Sequence, residues 1–369
     1  MEGLRHSVSN KEFSDLISDI YEELNITDDN TSFMLDHALP CEGQRFSPAM
    51  HIFFCIFYLM IFMVAIPGNL VVSLVVSSSR HKLNPSDLFL FHLALADLML
   101  ALTLPLSAVS TLQGWVFGNA VCKLVRMALE VNFYTGILFL VCISADRYML
   151  VVHATTESRV RNQGRWPTSW ITCVSVWTLG LLLSIPAAIY NEAYNFEDVD
   201  SKTQCGERYS TARSSEWRLA TRMLRHLLGF LLPLGAMLGF YGITIARLVQ
   251  TRGFHKQKAM RVIIAVVAAF LLCWCPYHVA MIVDTLVRAK LVDSGCQKRR
   301  ETDNALLATQ SLGLLNCCIN PVLYAFVGEK FRRNLMRLLG KRGVLERESS
   351  SRFSRLTSTT SQDANNAFM

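Results

Sequence analysis

Long apolar runs, each ended by a short polar stretch, dominate this chain. Ile52 to Val76, "IFFCIFYLMIFMVAIPGNLVVSLVV", contains no charged residue. About 20 such residues span a bilayer. The pattern recurs at His51–Val76, Leu88–Leu112, Ala120–Val152, Trp170–Ile189, Leu224–Val249, Val262–Val287 and Ala305–Val327. Each run must satisfy its own backbone donors in lipid, so each is predicted to be helical. Pro67, Pro105, Pro186, Pro233, Pro276 and Pro321 fall inside these runs. Proline there is tolerated in a membrane helix and produces a kink. The expected fold is an all-α integral membrane bundle of seven transmembrane helices, with a short amphipathic eighth helix and disordered termini.

Charge then orients the bundle. The stretches "SSSRHKLNP", "HATTESRVRNQGRWP", "TRGFHKQKAMR" and "EKFRRNLMRLLGKRG" are basic and fall on one side if the helices alternate. Basic short loops mark the cytoplasmic face. The first 50 residues carry ten acidic residues against three basic ones, with sequons at Asn25 and Asn30, which places them outside. No apolar signal segment precedes them, so the first span is expected to serve as an uncleaved signal anchor. The expected organisation is an acidic outer tail over 1–50, the bundle over 51–327, a membrane-surface helix over 328–340 and a Ser/Thr-rich inner tail over 341–369. In the eighth helix Phe331, Leu335, Leu338 and Leu339 recur at helical spacing.

Of eleven cysteines, seven lie in or near spans, where a thiol packs as a small apolar group. Cys41, Cys122, Cys205 and Cys296 lie outside, an even number that suggests two disulfides. Four cysteines allow three pairings, and spacing does not choose among them.

Polar groups inside the spans are the functional candidates. Asp97 sits within "FHLALADLMLALTLP", and Asn69, Asn132, Asn316 and Asn320 offer amide partners in other spans. A carboxylate with amide neighbours suits a small hard cation. Asp146, Arg147 and Tyr148 stand where the third span reaches the inner face, and Trp274 lies two residues before the kink-forming Pro276. His92 and His278 are isolated and are expected to pack or hydrogen-bond. No span holds a nucleophile–base pair or a metal-ligand pattern, which argues against a membrane enzyme. Nor are there the broken half-helices of a transporter.

These features resemble the rhodopsin-like G-protein-coupled receptors. The matches are Gly68-Asn69, "LALAD", Asp146-Arg147-Tyr148, Trp177, Pro233 with Tyr241, "CWCP" and "NPVLY", one set in each span and in order. The resemblance implies that Asn320-Pro321 weakens the seventh helix and that Tyr324 swings inward on activation toward the third and fifth. It also implies the pairings Cys122–Cys205 and Cys41–Cys296, and an allosteric sodium ion held by Asp97, Asn132, Asn316 and Asn320.

"TLP" at Thr103–Pro105, "GWVFG" at Gly114–Gly118, "QKAMRVIIAVV" and "INPVLYAFVGEKFRRN" resemble the chemokine receptors. "EWRLATR" and "NFYTGILFLVCIS" are similar to their C-X-C branch, and within it to the interleukin-8 receptors. The branch departs from this chain at Gln310, where most chemokine receptors carry Glu, and at Leu129, where the nearest relatives carry Lys. The resemblance implies a plasma-membrane receptor that binds a basic C-X-C chemokine of Glu-Leu-Arg type and activates a heterotrimeric G protein of the Gi class, with calcium signalling and leukocyte chemotaxis. A receptor for another chemokine or peptide chemoattractant, or a scavenging decoy, is the alternative. Implied ligand contacts are Asp19, Glu22, Glu23, Trp115, Arg222, Asp284, Arg288, Arg299 and Gln310, with Tyr21 a sulfation candidate in "SDIYEEL". Ser349, Ser350, Ser351, Ser354, Thr357, Ser358, Thr359, Thr360 and Ser361 are expected phosphorylation sites for receptor kinases, followed by arrestin docking. Homo-oligomers are a further partner state, and nucleic acid is not a partner.

Overall fold

A computed structural model of the chain describes residues 47–78, 84–152, 158–195, 202–209, 214–250, 254–289, 291–292, 295–327, 331–337 and 340. Within them are seven helical spans long and apolar enough to cross a membrane: Pro48–Ser77, Pro85–Gln113, Gly118–Leu150, Pro167–Tyr190, Glu216–Arg247, Val267–Arg288 and Cys296–Leu323. Large apolar side chains such as Met63, Leu124, Ile171 and Leu272 face outward, while Asp97, Asn132 and Asn320 are buried. This is the inverse of a water-soluble protein and is what a lipid solvent selects.

The first span is α1 (Pro48–Ser77), started by Ser47, whose hydroxyl accepts from the Met50 amide. The second is two helices, α2 (Pro85–Ala101) and α3 (Leu104–Gln113). Pro105 has no N–H to give the Ala101 carbonyl, and the chain turns at Leu102 and Thr103. The Thr103 hydroxyl donates to the Leu100 carbonyl at 2.7 Å, which stabilises the bend. The third span is α4 (Gly118–Val152), the central helix. The fourth comprises α5 (Ser158–Leu183) and α6 (Ile185–Tyr190), separated at Ser184 just before Pro186. The fifth is α7 (Ser214–His226), a π-type turn over Leu227–Leu231, and α8 (Leu232–Gln250). That wide turn precedes Pro233, whose ring displaces the carbonyl one turn back. The sixth span lies in α9 (Phe254–Arg288). The seventh is α10 (Cys296–Leu314) and α11 (Asn316–Val327).

Two differences from the sequence expectation concern the seventh span. It starts at Cys296, nine residues ahead of Ala305, because the polar "CQKRRETDN" continues the helix beyond the apolar stretch. Its break lies at Leu315 and not at Asn320-Pro321, with tight i→i+3 bonds from Leu315 to Leu312 and from Cys318 to Leu315. A proline disturbs the turn before itself, since the missing donor and the ring both act on the carbonyl four residues earlier. A third difference is a two-stranded antiparallel hairpin, β1 (Asn191–Asn195) with β2 (Thr203–Glu207), which apolar periodicity did not reveal. Of the expected eighth helix, residues 331–337 are helical, and Phe331 packs against the main core; Leu338 and Leu339 lie outside the described residues.

The main core joins the first to sixth spans, with side chains of the seventh packed against it, around Phe133, Tyr134, Phe139, Phe230, Phe270 and Trp274. A second cluster packs the first, second and seventh spans around Phe54, Tyr58, Leu100, Leu104 and Leu314. Glycines permit close approaches between spans, two of which bear on the signalling site. A Cβ on Gly68 would lie 2.8 Å from Pro321 Cγ, and one on Gly313 would lie 2.9 to 3.1 Å from the Trp274 ring.

Candidate ligand and signalling sites

The outer end is organised by the hairpin. Cys205 of β2 is bonded to Cys122 at the start of α4, with a Cα–Cα distance of 5.6 Å. Arg126, one turn below Cys122, donates to the Cys205 carbonyl. Asn119 accepts from the Ala193 amide of β1 at 3.0 Å. Trp115 packs beside the disulfide, donating its indole N–H to the Gly118 carbonyl at 2.7 Å and its amide to Thr203 at 2.7 Å. Its ring thus braces the hairpin. Cys296 is also disulfide-bonded; its expected partner Cys41 lies outside the described residues, as do Asp19, Tyr21, Glu22, Glu23, Asn25, Asn30 and the phosphorylation sites from Ser349 to Ser361.

The expected charged contacts form a network. Asp284 of α9 is 1% exposed in its side chain and meets Arg222 of α7 at 2.6 Å. The Arg288 Nε lies 2.9 Å from both Asp284 oxygens, and its Nη2 lies 2.6 Å from Asp303 of α10. Arg222 also donates to the Thr285 hydroxyl at 2.8 Å. The arginines therefore neutralise the buried Asp284, pair with the partly exposed Asp303 and link the fifth, sixth and seventh spans. Arg299, in the first turn of α10, is half-buried, and its Nε has no hydrogen-bond partner among the described residues. Gln310 is half-buried on the same helix. Outside the spans, burial and the nearby Glu207 charge push the Tyr209 phenol up to about 12. It stays neutral, with Thr221 at 3.0 Å and the Arg218 guanidinium 5.2 Å from its ring centre.

A second charged cluster was not anticipated. Arg225 of α7 makes a two-pronged ion pair with Glu130 of α4, its Nε at 3.2 Å from Oε2 and its Nη2 on Oε1. Its Nη1 donates to the Tyr277 hydroxyl of α9 at 2.9 Å, and Glu207 of the hairpin lies 3.9 Å away. The signal was present: both charges interrupt apolar spans, and such residues are functional candidates by default. His278 is not isolated either. Its Nδ1 lies 2.8 Å from that of His226, next to Arg225, and its ring stacks on Phe230 at 4.2 Å. His92 accepts from the Trp177 indole at 3.2 Å.

At mid-depth Asp97 receives two amide donors, Asn132 at 3.0 Å on one oxygen and Asn320 at 3.1 Å on the other. Asn316 and Asn320 each keep a buried Oδ1 without a hydrogen-bond partner among the described residues. A buried carboxylate with orphaned amide oxygens nearby is a donor set that fits sodium. Above it, Trp274 lies 4.7 Å from Phe133 and 5.8 Å from Tyr277, ring centre to ring centre.

At the inner end Asp146 accepts a hydrogen bond from Ser86, at the start of α2. The half-buried Arg147 has an Nε without a hydrogen-bond partner among the described residues. Tyr148 packs on Phe240 at 5.5 Å, and Tyr241 accepts from the Ser144 hydroxyl at 2.7 Å, joining the third and fifth spans. Tyr324 lies in α11; its side chain is outside the described residues.

The family model described as "7 transmembrane receptor (rhodopsin family)" matches residues 68–324, from Gly68 against Pro321 to Tyr324. The chain belongs to that family. Within it, the chain is 43% identical over 310 residues to C-X-C chemokine receptor type 1 of Oryctolagus cuniculus, covering 84% of this chain and 85% of the rabbit protein. It is 42% identical over 323 residues to C-X-C chemokine receptor type 2 of Homo sapiens, covering 88% of this chain and 87% of the human one. The protein is therefore a class A chemokine receptor by family, a multi-pass membrane receptor and not an enzyme.

Proposed function

We propose that this receptor binds basic C-X-C chemokines of the Glu-Leu-Arg type at its outer face and activates a heterotrimeric G protein of the Gi class, raising calcium and directing leukocyte migration. The observation that carries the ligand reading is the charge network of the fifth to seventh spans, in which Arg222 and Arg288 meet Asp284 and Arg288 reaches Asp303, with the Arg299 Nε left without a hydrogen bond among the described residues. Such a rim can offer cations to a ligand carboxylate and acids to a basic surface. The similarity to type 1 and type 2 C-X-C chemokine receptors supports the same class of ligand.

The amino terminus is outside and the carboxyl terminus inside, on the distribution of basic loops. The acidic first 50 residues, with Asp19, Glu22, Glu23 and a sulfated Tyr21, steer the ligand, an effect that salt weakens. Intact Asp146 and Arg147 favour a signalling receptor over a decoy. Kinases acting on Ser349 to Ser361 would add about −1.5 to −2 charges per phosphate and recruit arrestin. The test is a panel of chemokines and other peptide chemoattractants, read by binding and by calcium release in transfected cells. A response restricted to Glu-Leu-Arg chemokines is expected. A response to another peptide alone would overturn the ligand reading, and binding without calcium release or nucleotide exchange would identify a decoy.

A further inference from the structure

His226 of α7 and His278 of α9 face each other between the fifth and sixth spans. Their Nδ1 atoms are 2.8 Å apart and their ring centres 4.9 Å, so the two nitrogens point at one another and share one hydrogen. The residues are 7% and 3% exposed, and neither Nε2 has a hydrogen-bond partner among the described residues. Unlike the ion pairs around it, this link joins two groups of the type that titrates near neutral pH.

The link tolerates few protons. Two neutral imidazoles carry two N–H groups on four nitrogens. Whichever ring donates, one N–H lies between the Nδ1 atoms. The accepting ring then holds the other on its Nε2, and the donating ring keeps a bare Nε2. A third proton would go to that bare nitrogen and make a buried imidazolium. The charged groups around it are already engaged with one another. Arg225 adjoins His226 and is paired with Glu130, with Glu207 of the hairpin at 3.9 Å from its guanidinium. Arg222, one turn before His226, is paired with Asp284, which also holds Arg288. On α9 the Tyr277 ring lies against His278, and its hydroxyl accepts from Arg225. A fourth proton would make both Nδ1 atoms donors, and the bond would be lost.

An uncompensated charge is costly in the interior and not in water. Opened to water, the two rings take up protons as pH falls through the ordinary histidine range, about 6.5. The open pair then holds more protons than the closed one. Closure is therefore favoured above that range and lost below it.

We propose that His226 and His278 form an acid-labile clasp between the fifth and sixth spans, closed at neutral pH and released in acid. Release reaches the signalling core by direct contact. The His278 ring stacks at 4.2 Å on Phe230, within the π-type turn over Leu227–Leu231, and lies 5.8 Å from Phe133. The Phe133 ring in turn lies 4.7 Å from Trp274. The clasp belongs to the helices and holds whatever ligand the receptor takes.

The intact receptor, purified in detergent with a metal chelator present, is melted at intervals from about pH 7.5 to about pH 5.5, across the histidine range. The wild type should lose several degrees of melting temperature over that interval. His226→Asn and His278→Asn keep a polar side chain without a titrating ring, and each should lose clearly less. Basal nucleotide exchange should change with pH more in the wild type than in either variant. A wild-type melting temperature that does not fall, or an equal fall in both variants, overturns the clasp. A reading on the wild type alone keeps the test if the variants fold poorly. With nitrogen-15 in the histidines, magnetic resonance at about pH 7.5 should show one of the two rings as the Nδ1–H tautomer and the other as the Nε2–H tautomer, with imidazolium signals replacing them at about pH 5.5. Unchanged tautomers at the acid pH overturn the proposal.

Discussion

Asn69 and Cys317 are 248 positions apart, yet the Asn69 amide donates to the Cys317 carbonyl at 2.8 Å. That carbonyl is four residues before Pro321, so it is the one the proline leaves without its helical donor. The first span thus repairs the defect that Pro321 makes in the seventh. Gly68, beside Asn69, lets the two helices come this close. Asn69→Leu removes the donor and leaves a buried carbonyl bare, at a cost of about 1–3 kcal/mol. Lower thermal stability of the purified receptor in detergent is expected, and Gly68→Ala should lower it too, by a clash with the proline ring. Unchanged melting of Asn69→Leu would show that the carbonyl finds another partner.

How much of this was readable from sequence differs by element. The seven spans were legible because lipid demands long uncharged runs, and the largest shifts of their starts, at Glu216 and Cys296, fall where polar residues continue a helix. The hairpin was not, since Asn191–Asn195 and Thr203–Glu207 lack alternation and are held by Cys205 and by side chains of α4. Asp97, Asn132, Asn316 and Asn320 were singled out as a set, and of these Asn132 and Asn320 do meet Asp97. Glu130 with Arg225, and His226 with His278, depend on which helix faces come together, and spacing within one helix does not reveal that.

Asp97 is held by two amide donors, which leaves the orphaned oxygens of Asn316 and Asn320 for a cation. If sodium binds there in the inactive state, it shifts the population away from the active one. Agonist affinity of the wild type should fall as sodium rises, and that of Asp97→Asn should not. The measurement is agonist competition across sodium concentrations at constant ionic strength. Equal responses would give Asp97 a purely structural role.

Trp274 occupies the space that Gly313 leaves open. An added Cβ would stand 2.9 Å from the ring, too close for both to remain. Overpacking of this kind typically costs about 1–3 kcal/mol. Gly313→Ala should therefore lower the melting temperature and, by displacing Trp274 against Phe133, change basal nucleotide exchange. Gly235→Ala, where a Cβ meets nothing within 4 Å, is the matched control and should leave both unchanged. A Gly313→Ala receptor with normal stability and basal exchange would show that the indole can move aside freely.

Arg222 and Arg299 should separate structure from recognition. Arg222 is 2.6 Å from an Asp284 that is almost fully buried, so Arg222→Ala weakens the neutralisation of a buried charge. Breaking such a pair costs about 3–5 kcal/mol when no second partner exists. Arg288 also reaches Asp284, so the loss should be smaller than that but still visible as a lower melting temperature and reduced surface expression. Arg299 leaves its Nε without a hydrogen bond among the described residues, so Arg299→Ala should leave melting unchanged. Its effect should fall on the ligand, with weaker binding of Glu-Leu-Arg chemokines than of chemokines lacking that motif. Melting curves and competition binding on the same preparations give both readouts. Equal loss for the two ligand classes would remove Arg299 from recognition of the motif, and a lower melting temperature would make it part of the scaffold that Arg222 and Arg288 build.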